Sequence, residues 1–278
     1  MSTIAFYNGM FIPKDEITIP LSDRSIYFGD GIYEAAIGRN GKVYLDSYHM
    51  QRFFDNAQKL ELEVEYTYSE LHEILRQVID QNSLNAFFIY FQLTRSEKER
   101  RHTYSTKKSN LLVTISPIEV PQFDVSLKLI THKDERHELC SIKTLNLLAS
   151  VIASQSAFLQ GCDEAILYKN GYVTECAHSN VHIIKNEAII THPTDGKILP
   201  GITRKRLIEI SSELKIPVEE HPFTIDELYH ADEVIVTSSS KLCVRARSVD
   251  NISYTLSNDS IGYTICQNIH SDFISQTK

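Results

Sequence analysis

The stretch Cys140–Ala157, CSIKTLNLLASVIASQSA, places a lysine directly before a long apolar run. After Lys143 the apolar residues recur at helical spacing, as Leu148 and Ile152 do, which predicts a helix with a buried face. The Thr144 hydroxyl can accept a hydrogen bond from a free backbone N–H and so cap the first turn. Lys143 is therefore predicted to lie at the start of a buried helix.

A lysine in that position has two interpretations. Its aliphatic stem can cover apolar neighbours while the ammonium group reaches water. Alternatively, an apolar environment favours the neutral amine, which can form a Schiff base with an aldehyde.

Length and composition fit a soluble protein with a sizeable core. The chain has 278 residues, 42% hydrophobic and 23% charged, which suits one large or two medium domains. A formal net charge of −8 argues against general nucleic-acid binding. The sequence has neither a signal-peptide pattern nor an apolar run near the roughly 18 residues of a membrane helix. Five cysteines without a CxxC pair predict a reducing cytoplasm.

Hairpin turns separate many of the apolar runs, and they predict mixed strands without a regular βαβ alternation. The predicted turns are Asn8-Gly9, Asn40-Gly41, Asn170-Gly171 and Lys185-Asn186.

The candidate domain boundary is SPIEVPQFD, residues 116–124, which has two prolines between apolar runs. We predict an α/β (mixed α+β) fold of two domains. The N-terminal α/β domain comprises residues 1–117, the linker residues 118–123 and the C-terminal domain residues 124–278.

Two stretches of the C-terminal half are candidates for binding a phosphate. In ILPGITRKRLIEI a helix begins at Ile202 and Thr203, and a helix start offers free N–H groups and a positive dipole end. In EVIVTSSSK a strand runs into Ser238 and Ser239, where N–H and hydroxyl groups can form an anion nest. Taken singly, an ordinary capped helix and a polar loop are the commoner explanations.

Two charged groups also have a functional and an ordinary interpretation. Glu175, in VTECAHSN, ends an apolar strand; a carboxylate there is usually a solvated turn residue, but a buried one can hold a ring N–H. Arg100 and His102, in LTRSEKERRHTYS, follow a strand that looks buried, and arginine can grip a carboxylate with two hydrogen bonds. A solvated loop explains the same cluster.

The two candidate phosphate-binding stretches, at Ile202–Thr203 and at Ser238–Ser239, are called the phosphate cups. Lys143, the two phosphate cups and Glu175 are together what pyridoxal 5'-phosphate requires. The lysine holds the aldehyde and the cups hold the phosphate. The acid keeps the pyridine nitrogen protonated, so that the ring accepts electrons.

Longer motifs resemble the fold-type IV, or class IV, pyridoxal-phosphate aminotransferases. They span about Tyr7 to Asp250 in family order: YFGDGIYEAAIGRNGKVYLDSYHMQRF, SIKTLNLLASVIASQSAFLQGCDEAIL, VTECAHSN, LPGITR and VTSSS. Arg100 and His102 match a pair that binds the substrate α-carboxylate in the D-amino-acid branch. Branched-chain aminotransferases, aminodeoxychorismate lyases and (R)-amine transaminases share the fold and stay open as alternatives. A non-catalytic phosphate-binding protein is a more remote one.

The resemblance implies a smaller N-terminal α/β domain, a larger barrel-like C-terminal domain and a homodimer without a metal ion. The implied substrates are D-amino acids and 2-oxo acids, such as D-alanine and 2-oxoglutarate giving pyruvate and D-glutamate. The implied cofactor residues are Lys143, as the catalytic Schiff-base lysine, with Arg52, Glu175, Leu199, Ile202, Thr203, Ser238 and Ser239. The implied substrate residues are Tyr33, Arg100 and His102.

Five residues depart from the family pattern. Cys176 stands where glycine is usual, His178 lies in a turn that is usually serine-rich, and Lys241 replaces the start of a Ser-Glu pair. Arg245 and Arg247 occupy positions that are usually uncharged in this branch. The departures leave substrate preference open, because His178 and Lys241 are near enough in sequence to reach the active site.

Overall fold

A computed structural model describes residues 2–96 and 99–278, which form two compact units. The first unit comprises the chain up to Val120, with Ile142–Asn146 and Ser275–Lys278. The second comprises Pro121–Ser141 and Leu147–Ile274. The chain thus leaves the first unit within the predicted linker, but the short segment that carries Lys143 belongs to the first unit.

The first unit is an antiparallel sheet covered by helices, and its six strands lie in the order β2-β1-β6-β5-β3-β4. Its strands are β1 (Ile4–Tyr7), β2 (Met10–Pro13), β3 (Gly31–Arg39), β4 (Lys42–Val43), β5 (Ala86–Arg95) and β6 (Ser109–Pro117). Its helices are α1 (Arg24–Phe28), α2 (Asp46–Lys59) and α3 (Tyr68–Asn82).

Short-range turn and capping interactions explain where several of these strands and helices begin and end. The predicted turns Asn8-Gly9 and Asn40-Gly41 are confirmed, with all four residues at positive φ as a two-residue hairpin loop requires. Thr67 and Glu70 form a capping box at the start of α3. The apolar faces of α2 and α3 pack on the sheet in one core that includes Met50, Phe53, Leu71, Val78, Ile89 and Phe91.

The second unit contains a mixed nine-stranded sheet in the order β12-β11-β10-β13-β14-β7-β8-β9, with β15 paired to β14. Its strands are β7 (Ser126–Lys133), β8 (Glu164–Lys169), β9 (Tyr172–Cys176), β10 (Asn180–Lys185), β11 (Ala188–Thr191), β12 (Val218–Glu220), β13 (Glu233–Ser238), β14 (Leu242–Val249) and β15 (Ile252–Ser253). Its helices are α4 (Leu148–Leu159), α5 (Ile202–Glu213), α6 (Ile225–Tyr229) and α7 (Ile261–Gln276).

The sheet of the second unit curls back on itself. Strand β9, at one end of the order, continues through a tight turn into β10, and the Cys176 N–H donates to the Ser179 carbonyl at 2.7 Å. The mixed fold and barrel-like second domain predicted from the sequence are confirmed. The Asn170-Gly171 turn is also confirmed, whereas the next turn lies at Asn186 and Glu187, one residue later than predicted.

The helix prediction around Lys143 is wrong in three respects. Helix α4 begins only at Leu148, with Leu147 at the N-cap, so Thr144 does not cap it. Its apolar face is also exposed, since Leu148 and Ile152 retain 74% and 50% of their accessible surface. Small residues make the buried face instead: Ala153 and Ala157 pack with Ile130, Ala165 and Leu167.

Among the described residues, none of the helices combines the length and the hydropathy of a membrane-spanning segment.

Candidate active site

Lys143 lies in an extended segment alongside the start of β3. The Tyr33 N–H donates to the Lys143 carbonyl at 2.9 Å, and the Leu145 N–H donates to the Gly31 carbonyl at 3.1 Å. This pairing makes an antiparallel bridge between Ile32 and Thr144. The two main-chain hydrogen bonds to β3 therefore fix the backbone of the segment that carries Lys143.

The same pairing sets the Lys143 side chain next to Tyr33. The Lys143 Nζ lies 4.1 Å from the centre of the Tyr33 ring, a cation–π distance, and the lysine is half-buried. The Tyr33 ring stacks in turn on Tyr90. Two residues predicted for the site thus stand together in the first unit.

Arg52, on α2, is fixed by a buried carboxylate that the sequence did not indicate. Its Nε and Nη2 lie 2.6 and 2.9 Å from the two oxygens of Glu34, on β3. His49 Nδ1 lies 2.7 Å from the same carboxylate. Burial raises the pKa of Glu34, but the charges and hydrogen bonds of Arg52 and His49 outweigh it and hold the pKa at about 2. Glu34 is therefore ionised and orients Arg52.

Arg100 and His102 are exposed, and both lie against Phe28 at the end of α1. The Arg100 guanidinium carbon is 5.2 Å from the Phe28 ring centre, and the His102 ring is 5.3 Å from it. Arg24, which is buried, donates to the carbonyls of Arg101 and His102 and so ties the backbone of this loop to α1. The structure brings the predicted pair together; Glu97 and Lys98 of the same motif lie outside the described residues.

Glu175 is buried on β9, so the interpretation as a solvated turn residue is wrong. Its carboxylate accepts hydrogen bonds from Arg136 Nη1, from Asn180 Nδ2 at 2.8 Å and from the Leu199 N–H at 3.1 Å. Burial raises its pKa to about 7 against the opposing effects of Arg136 and the Leu199 N–H. Glu175 is therefore an acid that a further positive charge would readily ionise.

Asn180 connects the parts of the second unit that the sequence suggested separately. It donates to Glu175 and, at 3.0 Å, to the carbonyl of Leu199, and it pairs with Thr237 across β10 and β13. A Cβ at Gly201 would lie 1.9 Å from Asn180 Oδ1, so only glycine permits this approach. The carboxylate, the Leu199 loop and the start of α5 therefore meet at one side chain.

Both predicted phosphate cups are in the second unit. Ile202 and Thr203 are buried in the first turn of α5, and Gly201 before them has no side chain with which to cap the free N–H groups. Ser238 ends β13, and Ser239 lies half-buried in the turn that follows.

A chain of buried hydrogen bonds joins the elements that carry the two cups. Arg204, in the first turn of α5, donates from Nε to Thr191 Oγ1 at 3.1 Å. His182 lies between Thr191 and Thr237, with ring nitrogens 2.8 and 2.9 Å from their hydroxyls, and Thr237 directly precedes Ser238. Burial and the Arg204 charge lower the pKa of His182 to about 3, so the ring is neutral. The two cups therefore share one rigid framework.

Sequence reasoning missed the polar partners of the site. Arg136 lies 39 residues from Glu175 and is itself held by Asp134, whose oxygens are 2.9 and 2.7 Å from its Nε and Nη2. No short motif links residues this far apart. Of the departures, Arg245 and Arg247 donate to main-chain carbonyls of Ser257 and Ser126.

The donor set of each unit fits pyridoxal phosphate. Three donors occupy the Glu175 carboxylate, which offers about four acceptor positions, so one position suits a ring N–H. The two cups suit a phosphate, and the half-buried amine of Lys143 suits an aldehyde.

Comparisons with known proteins agree with these groups. The family model for amino-transferase class IV matches residues 31–249. The D-alanine aminotransferase of Staphylococcus haemolyticus is 38% identical over 242 residues, 86% of this chain and 86% of that protein. The D-alanine aminotransferase of Staphylococcus aureus strain MSSA476 is 37% identical over 84% of this chain and 85% of that protein. The branched-chain aminotransferase of Thermoproteus uzoniensis, solved with norvaline, shares the fold: its TM-score is 0.93 at 22% identity, covering 100% of this chain and 97% of that one.

Proposed function

Because this chain belongs to the class IV aminotransferases, which use pyridoxal phosphate, we propose that it moves an amino group from a D-amino acid to a 2-oxo acid. The observation that carries the proposal is the Lys143 amine, fixed by main-chain pairing beside Tyr33. The preference for D-amino acids is supported by Arg100 and His102, which lie together on Phe28, and by the relatives named D-alanine aminotransferases.

Bound pyridoxal phosphate supplies an electron-accepting ring that makes the substrate Cα–H acidic. Lys143 would bind the cofactor through its amine. Glu175 would hold the proton on the ring nitrogen, since its carboxylate has an acceptor position to spare, and Leu199 would lie beside the ring. The phosphate would be held by Arg52, Ile202, Thr203, Ser238 and Ser239.

Lys143 would transfer the proton of the substrate Cα. Its Nζ would take this proton as a general base and then give it up, as a general acid, at a position other than Cα, so that Cα becomes the carbonyl carbon of the 2-oxo acid. Arg100 and His102 hold the α-carboxylate, with Tyr33 on the substrate side of the site. Fixing the carboxylate determines which Cα–H bond faces the lysine, so the loop selects the D-enantiomer. We expect D-alanine and 2-oxoglutarate to give pyruvate and D-glutamate.

The test is a coupled assay for pyruvate with purified enzyme, pyridoxal phosphate and 2-oxoglutarate. We expect turnover of D-alanine and little of L-alanine. Parallel reactions with an L-branched-chain amino acid and a chiral (R)-amine, followed by the glutamate formed, and with aminodeoxychorismate, followed by pyruvate, cover the other members of the family. Faster turnover of any of these three than of D-alanine would replace the proposed substrate class.

A homodimer is supported by the exposed apolar face of α4. Leu148, Phe158 and Leu159 each keep more than 70% of their surface exposed, and Val151 and Ile152 lie near them on the helix. Covering an apolar face of this extent is favourable in free energy, and a second copy can cover it by a symmetric contact.

A reducing cytoplasm suits the five cysteines, all of them unbridged thiols.

A further inference from the structure

Glu164, the first residue of β8, is a fully buried carboxylate that the proposed reaction does not use. Its Oε1 accepts from the His178 N–H at 3.0 Å and lies 2.8 Å from His178 Nδ1. Its Oε2 accepts from Ser179 Oγ at 3.0 Å and from Lys241 Nζ at 2.7 Å. Burial raises the pKa of Glu164, but His178 and Lys241 bring it down to about 2, so the group is an anion.

Lys241 links this buried anion to the phosphate cup at Ser238 and Ser239. It is the last residue of the turn between β13 and β14, whose ends pair as Ser238 with Leu242. Its N–H donates to Ser238 Oγ at 3.1 Å, while its side chain reaches down to Glu164. Lys241 therefore sets the position of the turn through its backbone and neutralises the buried charge through its amine.

His178 completes the cluster. With the ring proton on Nδ1, the imidazole donates to Glu164, and its Nε2 can accept from Lys241 Nζ, 3.3 Å away. The Glu164 carboxylate then accepts four hydrogen bonds, and Lys241 Nζ has two partners, Glu164 and His178. His178 and Lys241 both depart from the family pattern, and both lie on the same carboxylate.

We propose that Lys241 is a positioning residue for the cofactor phosphate: held by Glu164 and His178, it orients the Ser238–Ser239 turn and cancels the Glu164 charge beneath it. The inference rests on the proposed function. It gives the departures Lys241 and His178 a role in anion binding, distinct from the choice of amino acid.

The proposal predicts that the Glu164 charge weakens phosphate binding once Lys241 is lost, and that removing the Glu164 charge reverses this effect. Replacing Lys241 by methionine removes the lysine counter-charge of the buried Glu164 anion, so that more of its negative charge acts on the phosphate and weakens phosphate binding. Removing the Glu164 charge as well, in the double variant Glu164→Gln with Lys241→Met, should restore it. A purely structural role predicts the opposite, because the second substitution would add damage to the first.

The experiment compares dissociation constants for pyridoxal phosphate and for pyridoxal, which lacks the phosphate, measured by absorbance on the apoprotein. The dissociation constant for pyridoxal divided by that for pyridoxal phosphate isolates the phosphate contribution. We expect Lys241→Met to reduce this ratio roughly tenfold, as one uncompensated charge near the anion would. The double variant should return within about threefold of wild type. Lys169→Met, which removes an exposed lysine paired with Glu138, is the matched control and should leave the ratio unchanged.

Two outcomes overturn the inference: a ratio that Lys241→Met leaves unchanged, including the case in which both ligands bind equally more weakly, or a double variant no better than the single one. If Lys241→Met does not fold, Lys241→Gln carries the same test, since it keeps an N–H donor for Glu164 but not the charge. Failure of the proposed function would look different. Wild-type protein would then turn over another substrate class faster than D-alanine, whereas failure of the inference alone leaves wild-type cofactor binding and D-alanine transamination intact.

Discussion

The chemistry of single residues here depends on what fixes them. The backbone of Lys143 is held by hydrogen bonds from its own carbonyl and from the Leu145 N–H to β3, and the Glu175 carboxylate is held by Arg136, Asn180 and the Leu199 N–H. An effective catalytic group is held in place before the reaction begins, and these contacts place both residues in advance.

Lys143→Ala should abolish transamination while leaving the protein folded. The variant loses both the amine that binds the cofactor and the base that moves the Cα proton, and the proton-transfer role alone is worth roughly 10²- to 10⁴-fold. The measurement is D-alanine turnover together with the visible spectrum of the cofactor-loaded protein. Lys59→Ala, at the exposed end of α2, is the control. Near-native turnover in Lys143→Ala would remove this lysine from the mechanism.

Glu175→Gln should lower turnover strongly with little loss of stability. The neutral amide still accepts hydrogen bonds but no longer favours a protonated ring nitrogen, and losing one such electrostatic group typically costs about 10²- to 10³-fold in kcat. Steady-state kinetics and a thermal melt provide the two measurements. Glu187→Gln changes a solvated turn carboxylate and should affect neither. Wild-type kinetics in the Glu175 variant would show that the buried carboxylate serves the fold alone.

At the scale of elements, one loop is the basis of the proposed specificity and one helix face is the basis of the proposed dimer. The loop with Arg100 and His102 is fastened to α1 by Arg24, which in turn lies 2.6 Å from Asp30. A loop attached in this way can present its exposed side chains at a defined place without being buried itself.

Arg100→Ala should weaken the use of amino acids far more than the use of simple amines. A charge-assisted contact to the α-carboxylate contributes about 1.5–3 kcal/mol, so kcat/KM for D-alanine should fall roughly 10- to 150-fold. A chiral amine has no carboxylate to lose. The control is Arg101→Ala, which removes an exposed arginine paired with Glu99. Equal losses for both substrates would mean that Arg100 supports the loop and does not contact the substrate.

The apolar face of α4 should hold two copies of the chain together. Introducing a charge at the centre of this face, as Val151→Glu does, would desolvate the carboxylate on association and so favour the monomer. Light scattering during gel filtration should give the mass of two chains for wild type and of one for the variant. Ser150→Glu places the same charge one position away and is the control. A wild-type protein that runs as a monomer contradicts the proposal.

At the scale of the whole molecule, each unit contains one buried carboxylate whose pKa is held at about 2: Glu34 in the first and Glu164 in the second. A carboxylate whose pKa is lowered by folding stabilises the folded state fully at pH values above the pKa that it has in the unfolded chain, near 4.5. That stabilisation is lost as the pH falls toward 2, because the proton then binds the unfolded chain more tightly.

Glu34→Gln should therefore flatten the acid side of the stability profile. The neutral residue cannot contribute the pH-dependent part, which for a shift of this size is on the order of 3 kcal/mol. Melting temperatures measured from about pH 5 to about pH 3 should fall less steeply in the variant than in wild type, although the variant is less stable at neutral pH. Glu119→Gln, at an exposed position, should follow the wild-type slope. Parallel profiles for wild type and Glu34→Gln would contradict this account.

The sequence determined what depends on short stretches of chain. Asn-Gly pairs set hairpin turns because both residues tolerate positive φ, and the start of α5 after Pro200-Gly201 follows from local backbone chemistry. The order and spacing of the motifs were sufficient for the family and its cofactor, because each motif keeps its chemistry within a few residues.

Tertiary structure decided everything that depends on distant partners. The periodicity of Leu148 and Ile152 indicated an apolar face but not what covers it, and in this chain that face is exposed. Lys143 became an extended residue because β3, about a hundred residues earlier, offered it hydrogen bonds. The buried state of Glu175 likewise depends on Arg136, Asn180 and the Leu199 N–H, which distant parts of the chain supply. Such contacts are chosen by the packing of the folded chain, which local sequence does not encode.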